Sequence, residues 1–205
     1  MEYAFHIFNK LAADGTSMTV DKLLILNEKR KMKGAGMRSP NISQEKVQKK
    51  PPVIVCIGSD LAIGDSLGPI TGSMIKYKTQ GLQYFLYGTL ATPVTAKEVR
   101  YLRSFLRETH KDSPVLAVDA AVGEKGDIGL IRLNDTPLRP GAGANKKLGE
   151  VGDISIIGIV AEKSVSNYGL LNTTRLGLVY SMAEIISDSV SAYLWNRKES
   201  LIKNA

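Results

Sequence analysis

Two acidic residues, Asp65 and Asp119, occupy positions where carboxylates could activate a water molecule. Asp65 follows an apolar run at residues 53–57 and directly precedes a predicted helix, while Asp119 closes a second apolar run at residues 114–118. Because the carboxyl ends of parallel strands meet at one edge of a sheet, the two side chains are predicted to lie together. Two close carboxylates do not easily both ionise, so one can act as an acid and the other as a base.

Two other interpretations of the same pair remain open. Asp65 could only cap a helix and Asp119 could only end a strand. The pair could also hold a divalent metal ion with water molecules completing the coordination shell, although no histidine is well placed to add a nitrogen ligand. We therefore expect no cofactor, with a divalent metal at the two aspartates as the alternative.

Residues 64–68 read Gly-Asp-Ser-Leu-Gly and match two signatures of serine hydrolases. Both mechanisms require a histidine base, and the chain has only His6 and His110, neither in a suitable context. Without a base the Ser66 hydroxyl is not activated. Because Cys56 is the single cysteine, an internal disulfide is excluded. It lies inside an apolar run and is expected to be a buried, inert thiol.

Predicted strands and helices alternate along the chain. This pattern favours a three-layer α/β/α sandwich around a mostly parallel, twisted sheet. A short Gly-rich turn precedes the fourth predicted strand, which is therefore expected to form an antiparallel hairpin with the third. The predicted strands cover residues 53–57, 82–87, 114–119, 128–133 and 154–160. Of three predicted helices, the first begins near Asp65, the second begins at a capping box at residues 95–98, and the third spans residues 172–195.

The chain is predicted to consist of a basic N-terminal arm, residues 1–50, and a single α/β domain, residues 51–205. The arm holds ten Lys or Arg and five Asp or Glu, and so carries five of the seven net positive charges. Residues 4–11 could form a short helix, but the charge and glycine content of residues 29–36 favours a flexible segment. The domain is expected to begin near Pro51 and Pro52.

The composition argues against two classes of partner, nucleic acids and membranes. Aromatic residues do not interleave with the basic ones, which argues against nucleic-acid binding. No apolar run approaches 18 residues and no signal-peptide core follows the N-terminus, so a cytoplasmic location and no membrane association are expected. Formation of a homo-oligomer is left open.

The long predicted loop at residues 137–152 contains glycines and lysines, and loops of this length are often functional. It is interpreted either as a solvated loop or as a flap that covers the cleft and contacts an acidic substrate. Substrate binding is assigned to six residues in this loop and in the loops after the first two strands: Ser59, Asp60, Ser66, Thr89, Asn145 and Lys146.

Three motifs resemble those of the spore germination proteases. Residues 56–69, ending in Asp-Ser-Leu-Gly-Pro, resemble a segment of that family ending in Asp-Ala-Leu-Gly-Pro. Residues 115–120 resemble its Ile-Asp-Ala motif, and residues 134–143 resemble its Asp-Thr-Gly and Pro-Gly-Ser-Gly loop. By this resemblance, Asp65 and Asp119 take the places of catalytic aspartates, and the substrate is a protein or peptide.

In length, and in details at residues 87–90, 151–154 and 172–176, the sequence resembles the YyaC family of sporulation proteins, which are related to spore proteases. Both groups share the fold of hydrogenase maturation endopeptidases, which implies a phosphorylase/hydrolase-like sandwich. In those endopeptidases the position of Asp65 is a metal-ligating carboxylate accompanied by a histidine that this chain lacks. Ser59 replaces an asparagine that is usual in both families.

These observations support a sporulation-associated peptidase or hydrolase in the cytoplasm of the sporulating cell or spore, in which two aspartates activate water. The alternatives are a non-catalytic sporulation protein that binds a peptide or partner in the same cleft, and a metal-dependent hydrolase.

Overall fold

A computed structural model describes residues 1–34, 50–141, 148–163 and 174–203. Within these ranges one sheet contains the strands β1 (Glu2–His6), β2 (Val53–Cys56), β3 (Phe85–Tyr87), β4 (Val115–Gly123), β5 (Leu130–Asn134) and β6 (Ile154–Glu162). The helices are α1 (Ala12–Gly34), α2 (Leu67–Lys78), α3 (Val99–Thr109) and α4 (Leu176–Lys203), and short 3₁₀ turns occupy Gly64–Ser66 and Lys125–Asp127.

The sheet has the order β1-β5-β6-β4-β2-β3. The strands from β6 to β3 run parallel, whereas β5 is antiparallel to both of its neighbours, β6 and β1. All four residues of β2 are buried, as a central strand covered on both faces requires. The predicted α/β sandwich with a mostly parallel sheet is confirmed.

The sheet separates two apolar clusters. One lies between the sheet and helices α1, α2 and α4, and the other lies between the sheet and α3. Successive side chains of β2 point to opposite faces of the sheet. Ile54 and Cys56 belong to the first cluster, and Val53 and Val55 belong to the second. Burial of these side chains on both faces provides the main stabilisation of the sheet.

The prediction of an N-terminal arm is wrong for the described residues 1–34. Strand β1 pairs with β5 from Glu2 opposite Asn134 to His6 opposite Leu130, and α1 packs against α4. Val20, Leu23 and Leu24 of α1 are buried in the first cluster. The charged residues at the end of α1 dominate the composition of this segment and hide the apolar stripe that the helix buries.

Two local predictions also fail. The segment predicted as a helix at residues 4–11 contributes to strand β1 instead, because a short, half-buried edge strand carries too weak a periodic signal to be recognised. Strand β5 is antiparallel as predicted, but it pairs with β6 and β1 rather than forming a hairpin with β4. No helix in the described parts of the chain is long and apolar enough to cross a bilayer.

Candidate active site

The two aspartates lie where neighbouring strands β2 and β4 separate. The last residue of β2, Cys56, is opposite Val118, and β4 continues beyond this pair alongside β6. From β2 the chain moves on to β3 at one end of the sheet, whereas from β4 it moves on towards β5 and β6 at the other. Such a reversal of strand order opens a crevice at the carboxyl ends of the strands, where ligands bind in α/β proteins.

Asp119 is the first residue of β4 beyond its last pair with β2, opposite Ile157 of β6. Asp119 lies within the strand, so the prediction that it ends the strand is wrong. Only 9% of Asp119 is exposed, and its Oδ1 accepts a hydrogen bond of 2.9 Å from the Ala120 N–H. Burial first, and then the negative charge of Asp65, raise the pKa of Asp119 well above its ordinary value, while the Ala120 bond partly offsets this rise.

Asp65 is half-buried in the 3₁₀ turn Gly64–Ser66, which packs against β4 and leads directly into α2. The effect of its charge on Asp119 shows that the fold brings the two carboxyl groups within electrostatic range. Asp65 also lies close to the N-terminus of α2, where backbone amides favour negative charge. The two aspartates therefore lie on segments that pack together, and their charges interact.

Gly58 allows this approach. The Ser59 N–H donates a hydrogen bond of 3.1 Å to the Asp65 carbonyl oxygen, which draws the loop after β2 back onto the turn. Gly58 has a φ of 144°, and a Cβ at this position would lie 2.1 Å from the same Asp65 oxygen. Sequence reasoning does not single out Gly58 for this role, although a glycine directly after a buried strand is a recognised signal for a special backbone geometry.

Comparison with known proteins places the chain in a family. The profile of DUF1256, described as a protein of unknown function, matches residues 28–189, a range that includes both aspartates. The chain belongs to the DUF1256 family. The protein described as "Uncharacterized protein YyaC" from Bacillus subtilis (strain 168) is 42% identical over 149 residues, which are 73% of this chain and 72% of that protein. The predicted relation to YyaC is confirmed.

Among solved structures, a [NiFe] hydrogenase maturation protease, HycI from Thermococcus kodakarensis KOD1, is similar to 73% of this chain and 95% of its own. The TM-score is 0.47 and the sequence identity is 21%. Both values are too low to transfer an activity to the DUF1256 chain.

Four of the residues predicted to bind substrate are described, and they lie in the segments that follow β2 and β3 at the same edge. In the loop after β2, Ser59 Oγ accepts a bond of 3.2 Å from the Leu61 N–H, and Asp60 is exposed. In the loop after β3, Thr89 is buried and its hydroxyl lies 3.0 Å from that of Thr92. Asn145 and Lys146 lie outside the described residues.

The serine-hydrolase signature has no catalytic arrangement in the structure. Ser66 is 5% exposed and donates its hydroxyl proton to the Ile63 carbonyl oxygen at 2.6 Å, so the side chain fixes the 3₁₀ turn. His6 Nε2 lies 3.0 Å from the Ile128 oxygen, and His110 Nε2 lies 2.7 Å from the Tyr87 hydroxyl. Both histidines are engaged away from Ser66.

Cys56 is also unsuited to catalysis. It is fully buried in β2, and burial raises the pKa of its thiol to about 12. The thiolate is the reactive form, so this cysteine is an inert part of the core, as predicted.

The donor set does not fit a transition-metal centre built from side chains. No group of three or more His, Cys, Asp or Glu residues within the described ranges is arranged to hold a metal ion. Zinc sites need at least three such ligands. Two carboxylates could instead hold a magnesium ion that keeps several of its water molecules. Neither of the two cavities described for the molecule, of about 480 and 650 Å³, is lined by Asp65 or Asp119.

Proposed function

We propose that this DUF1256 protein is a hydrolase in which Asp65 and Asp119 activate water against a peptide bond. The observation that carries the proposal is the buried Asp119, whose pKa is raised by burial and by the charge of Asp65. Raised carboxyl pKa values of this kind are typical of catalytic acids. The choice of a peptide as substrate, and of sporulation as the setting, follows the resemblance to the spore germination proteases and to YyaC.

The unequal surroundings of the two groups assign their roles. Asp119, buried and disfavoured as an anion, holds a proton and acts as the general acid. Asp65, half-buried beside the N-terminus of α2, acts as the base and takes a proton from water. The resulting hydroxide adds to the peptide carbonyl carbon while Asp119 protonates the carbonyl oxygen. The C–N bond then breaks as the leaving nitrogen takes up the proton from Asp65, and a hydroxyl group of the intermediate returns its proton to Asp119 as the carboxyl product forms.

The direct test compares Asp65→Asn and Asp119→Asn with Asp112→Asn, which removes an exposed carboxylate between α3 and β4. Cleavage of a library of peptides digested from a proteome would be followed by mass spectrometry. We expect each dyad variant to lose about 10²- to 10⁴-fold in initial rate, the range for loss of a general acid or base, and the control to retain its rate. Full activity in either dyad variant would contradict the mechanism.

The same experiment separates the alternatives. Peptide binding without cleavage by the wild-type protein would favour a binding protein that uses the same cleft. Loss of cleavage in EDTA, restored by Mg²⁺, would favour a metal-dependent hydrolase with both carboxylates as ligands.

The pairing of the two carboxyl groups can be measured without any substrate. Titration of ¹³C-labelled aspartate by NMR should show that Asp65→Asn lowers the pKa of Asp119, because a neighbouring negative charge is removed. The pKa should remain above its ordinary value, since burial is the larger cause. An unchanged Asp119 titration in Asp65→Asn would show that the two groups do not interact.

A further inference from the structure

A cavity of about 480 Å³ lies at the edge of the sheet opposite to the aspartates. It is lined by the C-terminal part of α3, by Val115 at the beginning of β4, and by residues 150–153, which lead into β6. This volume is within the range of small-molecule sites, roughly 300–1,000 Å³. Leu106, Val115 and Val151 give the cavity an apolar wall.

Three cationic residues at four-residue intervals line the same cavity. Arg103 and Arg107 lie one turn apart on α3, and Lys111 follows shortly after the helix ends. Arg107 and Lys111 are exposed and form no ion pair with any residue of the described ranges. Two cationic side chains therefore line this cavity outside any ion pair of the described residues.

Arg103 is already held in place. Its Nε donates a hydrogen bond of 2.7 Å to the Glu150 carbonyl oxygen and its Nη1 donates one of 3.1 Å to that of Leu148. The guanidinium lies against Gly149, where a Cβ would be 2.2 Å from Nη1. A guanidinium fixed in this way needs little further ordering to meet a ligand.

The acidic residues of the cavity are engaged elsewhere. Glu150 Oε1 accepts a bond of 2.9 Å from Arg139 Nη2, and Asp153 Oδ2 accepts one of 2.8 Å from the Val115 N–H. Each of these contacts occupies one carboxylate oxygen, and the Arg139 guanidinium also offsets the charge of Glu150. The cavity thus combines an apolar wall with three cations and with two carboxylates that already accept hydrogen bonds.

We propose that this cavity binds a small ligand that carries a phosphate group on an apolar or aromatic body, of about the size of a nucleoside monophosphate. A phosphate monoester carries between one and two negative charges at neutral pH and three strong acceptor oxygens. Two unpaired cations and a fixed guanidinium match this charge better than that of a single carboxylate. The apolar wall contacts the rest of the ligand. This binding site is separate from the proposed hydrolytic site and does not depend on it.

The test uses AMP, inorganic phosphate, adenosine and succinate as probes, with affinity measured by calorimetry and by amide chemical shifts. The double variant Arg107→Gln/Lys111→Gln is compared with Arg100→Gln, which removes an exposed cation of α3 outside the cavity. We expect AMP to bind at least about tenfold more tightly than adenosine and succinate. The double variant should weaken AMP binding at least about tenfold, and Arg100→Gln by less than twofold.

Three outcomes would overturn the proposal. The first is no binding of AMP or phosphate at 10 mM. The second is adenosine or succinate binding as tightly as AMP. The third is an equal loss of affinity in Arg100→Gln, which would indicate non-specific attraction to a basic helix. Because the substituted side chains are exposed, thermal unfolding should change little in either variant and serves as the check on folding.

Discussion

The two ends of the parallel strands differ in the charge of their functional groups, with carboxyl groups at one end and cations at the other. At the carboxyl edge, the Asp119 carboxyl is buried near the negative charge of Asp65. Burial and this charge both raise its pKa, and no cation is among the causes of the shift. At the other edge, the cations Arg107 and Lys111 are exposed beside an open cavity. Strand β4 contributes Asp119 to one edge and Val115 to the other, about 13 Å apart at about 3.3 Å per residue.

This difference separates two uses of charge. Burying an acid costs free energy and stores a proton at a defined place, which suits a reaction. Leaving cations exposed costs little and attracts an anionic ligand from solution, which suits binding. The carboxyl edge should therefore depend strongly on close packing, and the opposite edge should not.

The largest effect is expected from Gly58→Ala. A methyl group at this position would meet the Asp65 carbonyl oxygen at 2.1 Å, and a φ of 144° is itself strained for alanine. We expect a loss of about 3 kcal/mol or more in the free energy of unfolding, measured with urea, together with loss of any peptide cleavage.

Gly126→Ala is the matched control. A Cβ at Gly126 meets nothing within 4 Å, so stability and cleavage should remain close to those of the wild type. If Gly58→Ala were as stable as Gly126→Ala, the loop after β2 would not need to approach Asp65 as closely as the structure shows.

The second prediction concerns the pH dependence of stability. Because the pKa of Asp119 is raised on folding, the folded protein binds more protons than the unfolded one above about pH 4. Stability from this group therefore falls as pH rises from about 4 through the folded-state pKa, and the penalty persists above it. Asp119→Asn should remove this fall and stabilise the protein at neutral pH, by about 1.4 kcal/mol for each unit of pKa elevation.

Urea unfolding of Asp119→Asn and of Asp60→Asn between pH 4 and 8 measures this effect. Asp60 is exposed in the loop after β2, so its variant should keep the wild-type slope. A variant that gained stability while losing cleavage would show that the proposed acid is kept at a cost to folding. An Asp119→Asn protein that is less stable than wild type at neutral pH would contradict the burial penalty.

Strong local signals made much of this fold and site predictable. The continuous apolar run at residues 53–57 identified β2, and the capping box identified the beginning of α3. In this box the Thr95 N–H donates a hydrogen bond of 2.9 Å to the Glu98 carboxylate, and α3 begins at the next residue, Val99. The prediction that Asp65 and Asp119 lie at one end of the strands came from the rule that parallel strands share a carboxyl edge.

What the sequence did not reveal depends on contacts between distant segments. Strand β1 is defined by its hydrogen bonds to β5, more than 120 residues away, and its own residues are only half-buried. The cationic cavity depends on residues 148–150 folding over Arg103. The four-residue spacing of Arg103, Arg107 and Lys111 was visible, but on a helix such spacing usually marks a solvated face.

The smallest expected effect lies at the edge with the cavity and has the opposite sign to that of Asp119. His110 is buried among aromatic rings, with Phe85 at a centroid distance of 4.3 Å, and burial lowers its pKa. The unfolded protein then binds more protons between the folded-state pKa and about pH 6.5, so stability from this group is lost as pH falls from about 6.5 through the folded-state pKa.

The variant His110→Gln, which can still bond to the Tyr87 hydroxyl, should reduce this acid-side loss. Measuring unfolding from pH 7 to 5 in an Asp119→Asn background isolates the histidine, since the two groups change stability in opposite directions over this range. If the slope were the same with and without His110, the ring would be as accessible to protons as in the unfolded chain. The contrast between a proton-holding edge and a proton-excluding edge would then reduce to Asp119 alone.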